Sequence, residues 1–149
     1  MRRPLLIGGN IGVVLLALGC GDTGGLLLVD KPVNPSEVLL PGELCSDNGD
    51  TAIATFEDAN LEAWVRAAIS VGEQEDLTCG LVSELTALTA ENSEIESLVG
   101  MQNLTGLTNL ELNANSITDI SPLSGLANLT TVGLVNNSIT DISALRELT

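Results

Sequence analysis

The sequence predicts an α/β solenoid: a short coil with a parallel three-stranded sheet, a helical N-terminal cap and no C-terminal cap. Three observations predict it. The words NSITDIS occur at 115–121 and again, letter for letter, at 137–143. An apolar pattern of helical period precedes these repeats. The 149 residues include one Trp, one Phe and no Tyr, so Leu, Ile, Val and Ala must build the interior. Identical aliphatic layers stack on one another without aromatic residues and without a single globular core.

The first element, residues 1–19, reads as an export signal. MRRPLLIGGNIGVVLLALGC starts with Arg2 and Arg3 and continues with an apolar run from Leu5 to Leu18. It ends in small residues at Gly19 and Cys20. The run is short for a membrane span, which needs about 20 apolar residues. ALGC resembles the lipobox of bacterial lipoproteins, which implies cleavage before Cys20 and lipidation of its thiol. A plain secretory signal and an uncleaved anchor are the alternatives, and each still exports the chain. Cleavage leaves three basic residues against 20 acidic ones, a net charge of −17. That charge opposes docking on anionic membranes, so attachment needs acyl chains on Cys20, and more than one of them.

Residues 20–44 follow as a tether, with Pro32, Pro35 and Pro41 preventing a continuous helix. The patches LLLV and VLL are unusual for a solvated linker and leave open an edge strand lying along the domain.

Residues 45–84 form the predicted helical cap. With Cys20 taken by lipid, Cys45 and Cys79 remain as an even pair, which an oxidising compartment would close into a disulfide. Two buried free thiols are the alternative. Asp47 and Asp50 lie in turn chemistry whose spacing fails a calcium loop, and two thiols with no His make a poor zinc site. From Asp58 the period is helical: Leu61, Trp64, Val65, Ala68 and Ile69 make one apolar stripe, with Asp58 as N-cap and Gly72 as stop. On this reading Trp64 faces the core.

Residues 85–149 carry the repeats, one degenerate and two regular. Leu107, Leu110, Leu112, Asn115, Ile117, Ile120, Leu123 and Leu126 recur one period later as Leu129, Val132, Leu134, Asn137, Ile139, Ile142, Leu145 and Leu148. Counting back by the same period gives Leu85, Leu88, Ala90, Ser93, Ile95, Leu98, Met101 and Leu104. The pattern L-x-x-L-x-L-x-x-N-x-I is that of the leucine-rich repeat. Residues two apart on a strand share a face, so Leu110 and Leu112 both point inward. Asn115 and Asn137 sit where the chain leaves the strand, and an amide can satisfy main-chain groups of both polarities there. The two are expected to stack into an asparagine ladder. SPL at 121–123 reads as a cap and a Pro that open a short 3₁₀ turn.

Asn60, Leu61, Glu62, Val65 and Arg66, with DLT at 76–78 and SLVGMQNLTGLTNL at 97–110, resemble the entry to bacterial internalin-like leucine-rich repeat proteins. The resemblance covers residues 53–149. It implies a small helical cap ahead of the first coil and says little about a ligand. The next strand would open at residue 151, beyond Thr149, so the last layer is expected to be uncovered. The readings are a truncated frame, or a short protein that pairs through this end.

Function follows only in outline. The outward strand positions form a column through Ala87, Thr89 and Glu91, then Asn109, Glu111 and Asn113, then Thr131, Gly133 and Val135. Of these, Asn109, Glu111, Asn113, Thr131 and Val135 are the candidate contacts to an unknown protein or envelope ligand. The face lacks the Tyr, Trp and Arg anchors of strong interfaces, and a solvated sheet face reads equally well. No His is present, and the acids outnumber Lys plus Arg by 20 to five, which argues against general-base catalysis and against nucleic acid as partner. No catalytic residue, cofactor or metal is expected. The partners expected are a protein on the concave face, the membrane through lipid, or a second copy at the C-terminal edge.

Overall fold

A computed structural model describes residues 37–148. The expected signal segment, Cys20 and most of the expected tether lie outside the described residues. Helix α1 (Ala59–Ala68) and helix α2 (Cys79–Ser83) precede three strands, β1 (Ala87–Thr89), β2 (Asn109–Glu111) and β3 (Thr131–Gly133). The strands form one parallel sheet in the order β1-β2-β3. Leu88 aligns with Leu110, and Leu110 with Val132, so the sheet register is the sequence repeat itself. Short 3₁₀ turns at Met101–Asn103 and Ser121–Leu123 return the chain between strands, and an equivalent turn at Ser143–Glu147 follows β3. This is the predicted solenoid.

All eight repeat positions of the first coil except Ser93, and all of the second except Asn115, are buried. They form a single cluster with Leu61, Val65, Leu77 and Val82 from the helical segment. Aliphatic layers therefore stack along the coil axis, as the amino-acid composition requires.

The VLL patch belongs to the domain, not to the tether. The Leu39 amide donates to the Ile53 carbonyl (2.9 Å), and the Ile53 amide donates to the Glu37 carbonyl (2.8 Å). Leu39 is buried while Val38 and Leu40 are exposed, the alternation of an extended segment. Pro41 stops a helix but does not prevent this pairing. This is the edge pairing that the sequence left open for the VLL patch.

Trp64 is the clearest departure from the sequence reading. It is 42% exposed, and Ala68 is also exposed, while Leu61 and Val65 are buried. Residues four apart sit about 40° from each other around a helix, and residues three apart about 60° on the other side. Helix α1 packs against β1, a strand of only three residues. Such a target covers the Leu61–Val65 seam and leaves the Trp64 shoulder in solvent. The helix also ends earlier than Gly72. Ser70 takes the left-handed conformation (φ 60°), the Ser70 amide donates to the Ala67 carbonyl, and the Val71 amide to the Arg66 carbonyl. That pair is a Schellman closure, here without glycine.

Several residues of the segment resembling the family entry have a structural reason. Glu62 accepts from Arg66 Nε at 2.8 Å, and Arg66 Nη1 donates to the carbonyls of Gly72 and Glu75. Arg66 thus holds the acidic loop against α1. Asn60 Nδ2 donates to the Glu94 carbonyl in the first coil. Two glycines allow the helical segment and the coil to meet. A Cβ at Gly106 would lie 2.2 Å from the Ser83 carbonyl oxygen. Gly100 (φ 111°) lies against Thr55 and Phe56, where a Cβ would fall 2.5 Å from the Phe56 ring.

Asp58 joins the two parts electrostatically. Its Oδ1 accepts from the Asn60 and Leu61 amides, and its Oδ2 accepts from the Glu96 and Ser97 amides of the coil. Burial pushes the carboxyl's pKa up, but these four main-chain donors outweigh it and hold the group below the ordinary carboxylate value. A depressed folded pKa means stability that is present above the unfolded value and lost as pH falls through the folded one. Unfolding followed between neutral pH and pH ~3 should therefore show a loss beginning near pH ~4, where an unfolded Asp titrates. Asp58→Ala should remove that component and cost about 2 kcal/mol, the sum of a lost helix cap and of the coil amides left without an acceptor. An unchanged pH profile in the variant would show that Asp58 does not couple helix to coil.

Candidate functional site

The disulfide joins Cys45 to Cys79 with a Cα separation of 5.4 Å and a sequence separation of 34. It ties the 3₁₀ turn Cys45–Asp47 to the start of α2. Beside it lies Asn103, which in the sequence shows only as part of an incidental glycosylation triplet. Asn103 is 2% exposed; its Oδ1 accepts from the Cys45 amide (2.7 Å) and its Nδ2 donates to the Glu43 carbonyl (2.9 Å). Its signal is a break in the repeat: the equivalent position one coil later is Gly125.

Asn115 and Asn137 stand at the inner turns, but they do not bond to each other as a stack of amides would. Asn115 Oδ1 accepts from the Ser93 and Ile95 amides, and its Nδ2 donates to the carbonyls of Ala90 and Leu112. Asn137 Oδ1 accepts from the Ile117 amide, and its Nδ2 donates to the carbonyls of Leu112 and Leu134. Each amide therefore completes the main chain of the preceding coil. Asn92, Ala114 and Asn136, equivalent positions in the three coils, all take positive φ to make this bend.

Two further ladders follow the same phase. Thr108 Oγ1 donates to the Thr86 carbonyl and Thr130 Oγ1 to the Thr108 carbonyl, so a threonine column closes the strand entrances. Just ahead of the 3₁₀ turns Ser121–Leu123 and Ser143–Glu147, Asp119 and Asp141 accept from the Ser121 and Ser143 amides. The N-cap position of the first of these turns is Ile120, without a side-chain cap, and not Ser121, the residue that SPL suggests. The Ser143 main-chain and side-chain donors hold the Asp141 carboxyl below its ordinary value.

The candidate contacts share one face of the sheet. Asn109, Thr131 and Val135 are exposed, while Glu111 and Asn113 are half-buried. The half-buried pair is organised across coils. Asn113 Nδ2 donates to Glu91 Oε1 (2.6 Å) and to Glu111 Oε2 (3.2 Å), and its Oδ1 accepts from the Val135 amide (2.8 Å). Gly133 makes room for this, because Glu111 Oε2 occupies the place of a Cβ at residue 133. Two carboxylates thus share one amide on the exposed face. In residues 37–148 the cationic side chains are Arg66, held at α1, and Arg146. Among the described residues, no group of three or more His, Cys, Asp or Glu is placed to hold a metal ion, and no helix is long and apolar enough to cross a membrane.

Comparison with known proteins agrees with this geometry. Residues 105–147 match the family model described as Leucine Rich repeats (2 copies). The chain is 29% identical over 99 residues to Internalin J of Listeria monocytogenes serotype 4b, covering 66% of this chain and 11% of that protein. Among solved structures, an internalin (inlF) from Listeria monocytogenes is 40% identical with a TM-score of 0.60, covering 62% of this chain and 28% of that one. Internalin C2 from the same organism is 30% identical with a TM-score of 0.59, covering 61% and 41%. The chain thus spans a minor part of the length of each. Repeat phase, parallel register, amides bonded from coil to coil and these likenesses lead to one conclusion: the chain carries a short leucine-rich repeat solenoid similar to those of the bacterial internalins.

Proposed function

We propose that this chain is an exported, lipid-anchored binding module that holds a protein or envelope ligand on the outer face of β1–β3, without catalysing a reaction. The observation that carries the reading is the Glu91–Asn113–Glu111 constellation, which joins two coils on the outer face beside the strands. Carboxylates already held by an amide lose little freedom on binding, and the scarcity of cations in this domain favours a partner that presents Lys or Arg. Asn109 and Thr131 flank the constellation on the same column.

Two measurements test the parts separately. A photo-crosslinking residue at Thr131 should capture a partner in the envelope of producing cells, and the same probe at Glu73, on the loop after α1, should not. Equal capture from both positions would sink the concave-face reading. For the anchor, the N-terminal peptide of the purified protein should begin at Cys20 and carry acyl mass, and Cys20→Ser should move the protein from the membrane fraction to the soluble fraction. An unmodified Cys20 would leave a plain secretory signal as the export route.

A further inference from the structure

Three of the seven exposed large apolar side chains among the described residues lie between positions 38 and 44. Val38 is 61% exposed, Leu40 70% and Leu44 43%, and every residue from 40 to 44 is exposed. They crown a tight turn. The Glu43 amide donates to the Leu40 carbonyl (3.0 Å), and Gly42 takes the left-handed conformation (φ 101°). The Glu43 carboxylate folds back to accept from the Leu40 amide at 2.7 Å. Leu40 thus has both main-chain groups bonded, and Pro41 has no amide to satisfy. The turn is held from the protein side. Thr55 Oγ1 donates to the Leu39 carbonyl, Asn103 Nδ2 donates to the Glu43 carbonyl, and the disulfide fixes Cys45. An apolar tip whose main chain is already paired leaves water at little cost; an unpaired one does not. From residue 37 to residue 50 the charged side chains are Glu37, Glu43, Asp47 and Asp50, with no Lys or Arg.

We infer that the turn carrying Val38, Leu40 and Leu44 seats in a lipid surface of zwitterionic headgroups and holds the cap end of the solenoid against the membrane. The inference rests on the anchor at Cys20 proposed above. Cys20 lies 17 residues before Glu37, so the turn stays within about 60 Å of the acyl chains even at full extension. Tethering makes the encounter intramolecular, and a few apolar side chains then suffice to hold the contact. The turn offers an exposed tip of Val, Leu and Pro. A protein hot spot instead packs Trp, Tyr or Arg into a pocket. A deformable apolar phase accepts such a tip without a matching shape, as it accepts the apolar face of an interfacial helix. The surrounding carboxylates decide which headgroups it meets. Anionic lipids repel them, and the basic side chains that would recognise such lipids are missing from this segment.

The test is quenching of a reporter tryptophan by lipids brominated along their acyl chains, in the acylated full chain reconstituted into phosphatidylcholine vesicles. Trp64→Phe removes the one native tryptophan. In that background Leu40→Trp should lose most of its emission to brominated phosphatidylcholine and shift to the blue. Thr131→Trp, on the outer sheet face, should keep its emission. Adding Val38→Asp and Leu44→Asp to Leu40→Trp should restore the lost emission, since charges at the tip oppose entry into lipid. Brominated phosphatidylglycerol should quench Leu40→Trp less than phosphatidylcholine does. Circular dichroism checks that each variant is folded, and the comparison of Leu40→Trp with Thr131→Trp stands without the aspartates. The acyl mass on Cys20 is read on the same sample. In an acylated chain, equal emission from Leu40→Trp and Thr131→Trp overturns the docking alone. So does quenching that survives the two aspartates, or quenching that is stronger in phosphatidylglycerol. An unmodified Cys20 overturns the anchor, and the docking with it.

Discussion

Asn115→Ala is expected to cost about 4 kcal/mol, which is four lost hydrogen bonds at roughly 1 kcal/mol each. The side chain serves the Ser93 and Ile95 amides as acceptor and the Ala90 and Leu112 carbonyls as donor. Alanine leaves these groups at an inner turn, where no ladder partner replaces the amide. Native domains are stable by only about 5–15 kcal/mol, so the variant should unfold at markedly lower denaturant. Asn137→Ala serves as the internal comparison. It removes an acceptor from one amide, that of Ile117, and donors from two carbonyls. Its cost should be smaller, about 2–3 kcal/mol by the same reckoning. Urea unfolding of both variants checks the order. If Asn137→Ala proves the more damaging, the idea that each asparagine completes the coil before it fails.

Removing the crosslink with Cys45→Ala and Cys79→Ala together should destabilise the domain by about 3–4 kcal/mol, the chain-entropy value for a closed loop of this length. For a domain of this size that corresponds to a fall in melting temperature on the order of 15 °C. The effect acts through the unfolded chain, which gains freedom when the loop opens. The native segment keeps its second tether, because Asn103 still holds the Cys45 amide and the Glu43 carbonyl. The double variant should therefore keep the native far-ultraviolet spectrum at low temperature and melt earlier. Adding Asn103→Ala should cost more in the cysteine-free background than in the unaltered chain, because each tether limits what loss of the other releases. Strict additivity of the changes would show that the two tethers act independently.

Much of the architecture is legible directly because a solenoid repeats its instructions. A position that is buried in one coil must be buried in the next, and the phase alone assigns Leu110, Leu112, Ile117, Ile120 and Leu123 to the interior. The same phase places Asn115 and Asn137 at the inner turns. It also holds the threonine column and the aspartates ahead of the 3₁₀ turns, which an alignment built on apolar residues leaves out. Trp64 departs for a different reason. Helical periodicity says which residues share a side; it does not say how wide a surface will meet that side. Asn103 shows in the repeat only as a break in phase; its role is not legible because its partners, Cys45 and Glu43, are remote in the chain and lie in a segment with no repeat.

The division follows from the range of the interactions. The amino-acid sequence alone determined the coil: its repeat period, its parallel strands, its aliphatic layers and the residues on its outer face, since all of these are periodic and each coil's neighbour is a copy of itself. The tertiary structure decided where non-identical parts meet. It aimed Trp64 outward, gave the Asp58 carboxylate amides from both helix and coil, and brought Glu91 and Glu111 onto one Asn113 amide. Those outcomes depend on how a helix seats on an end layer and on which side chains a glycine lets through, and no periodicity encodes either.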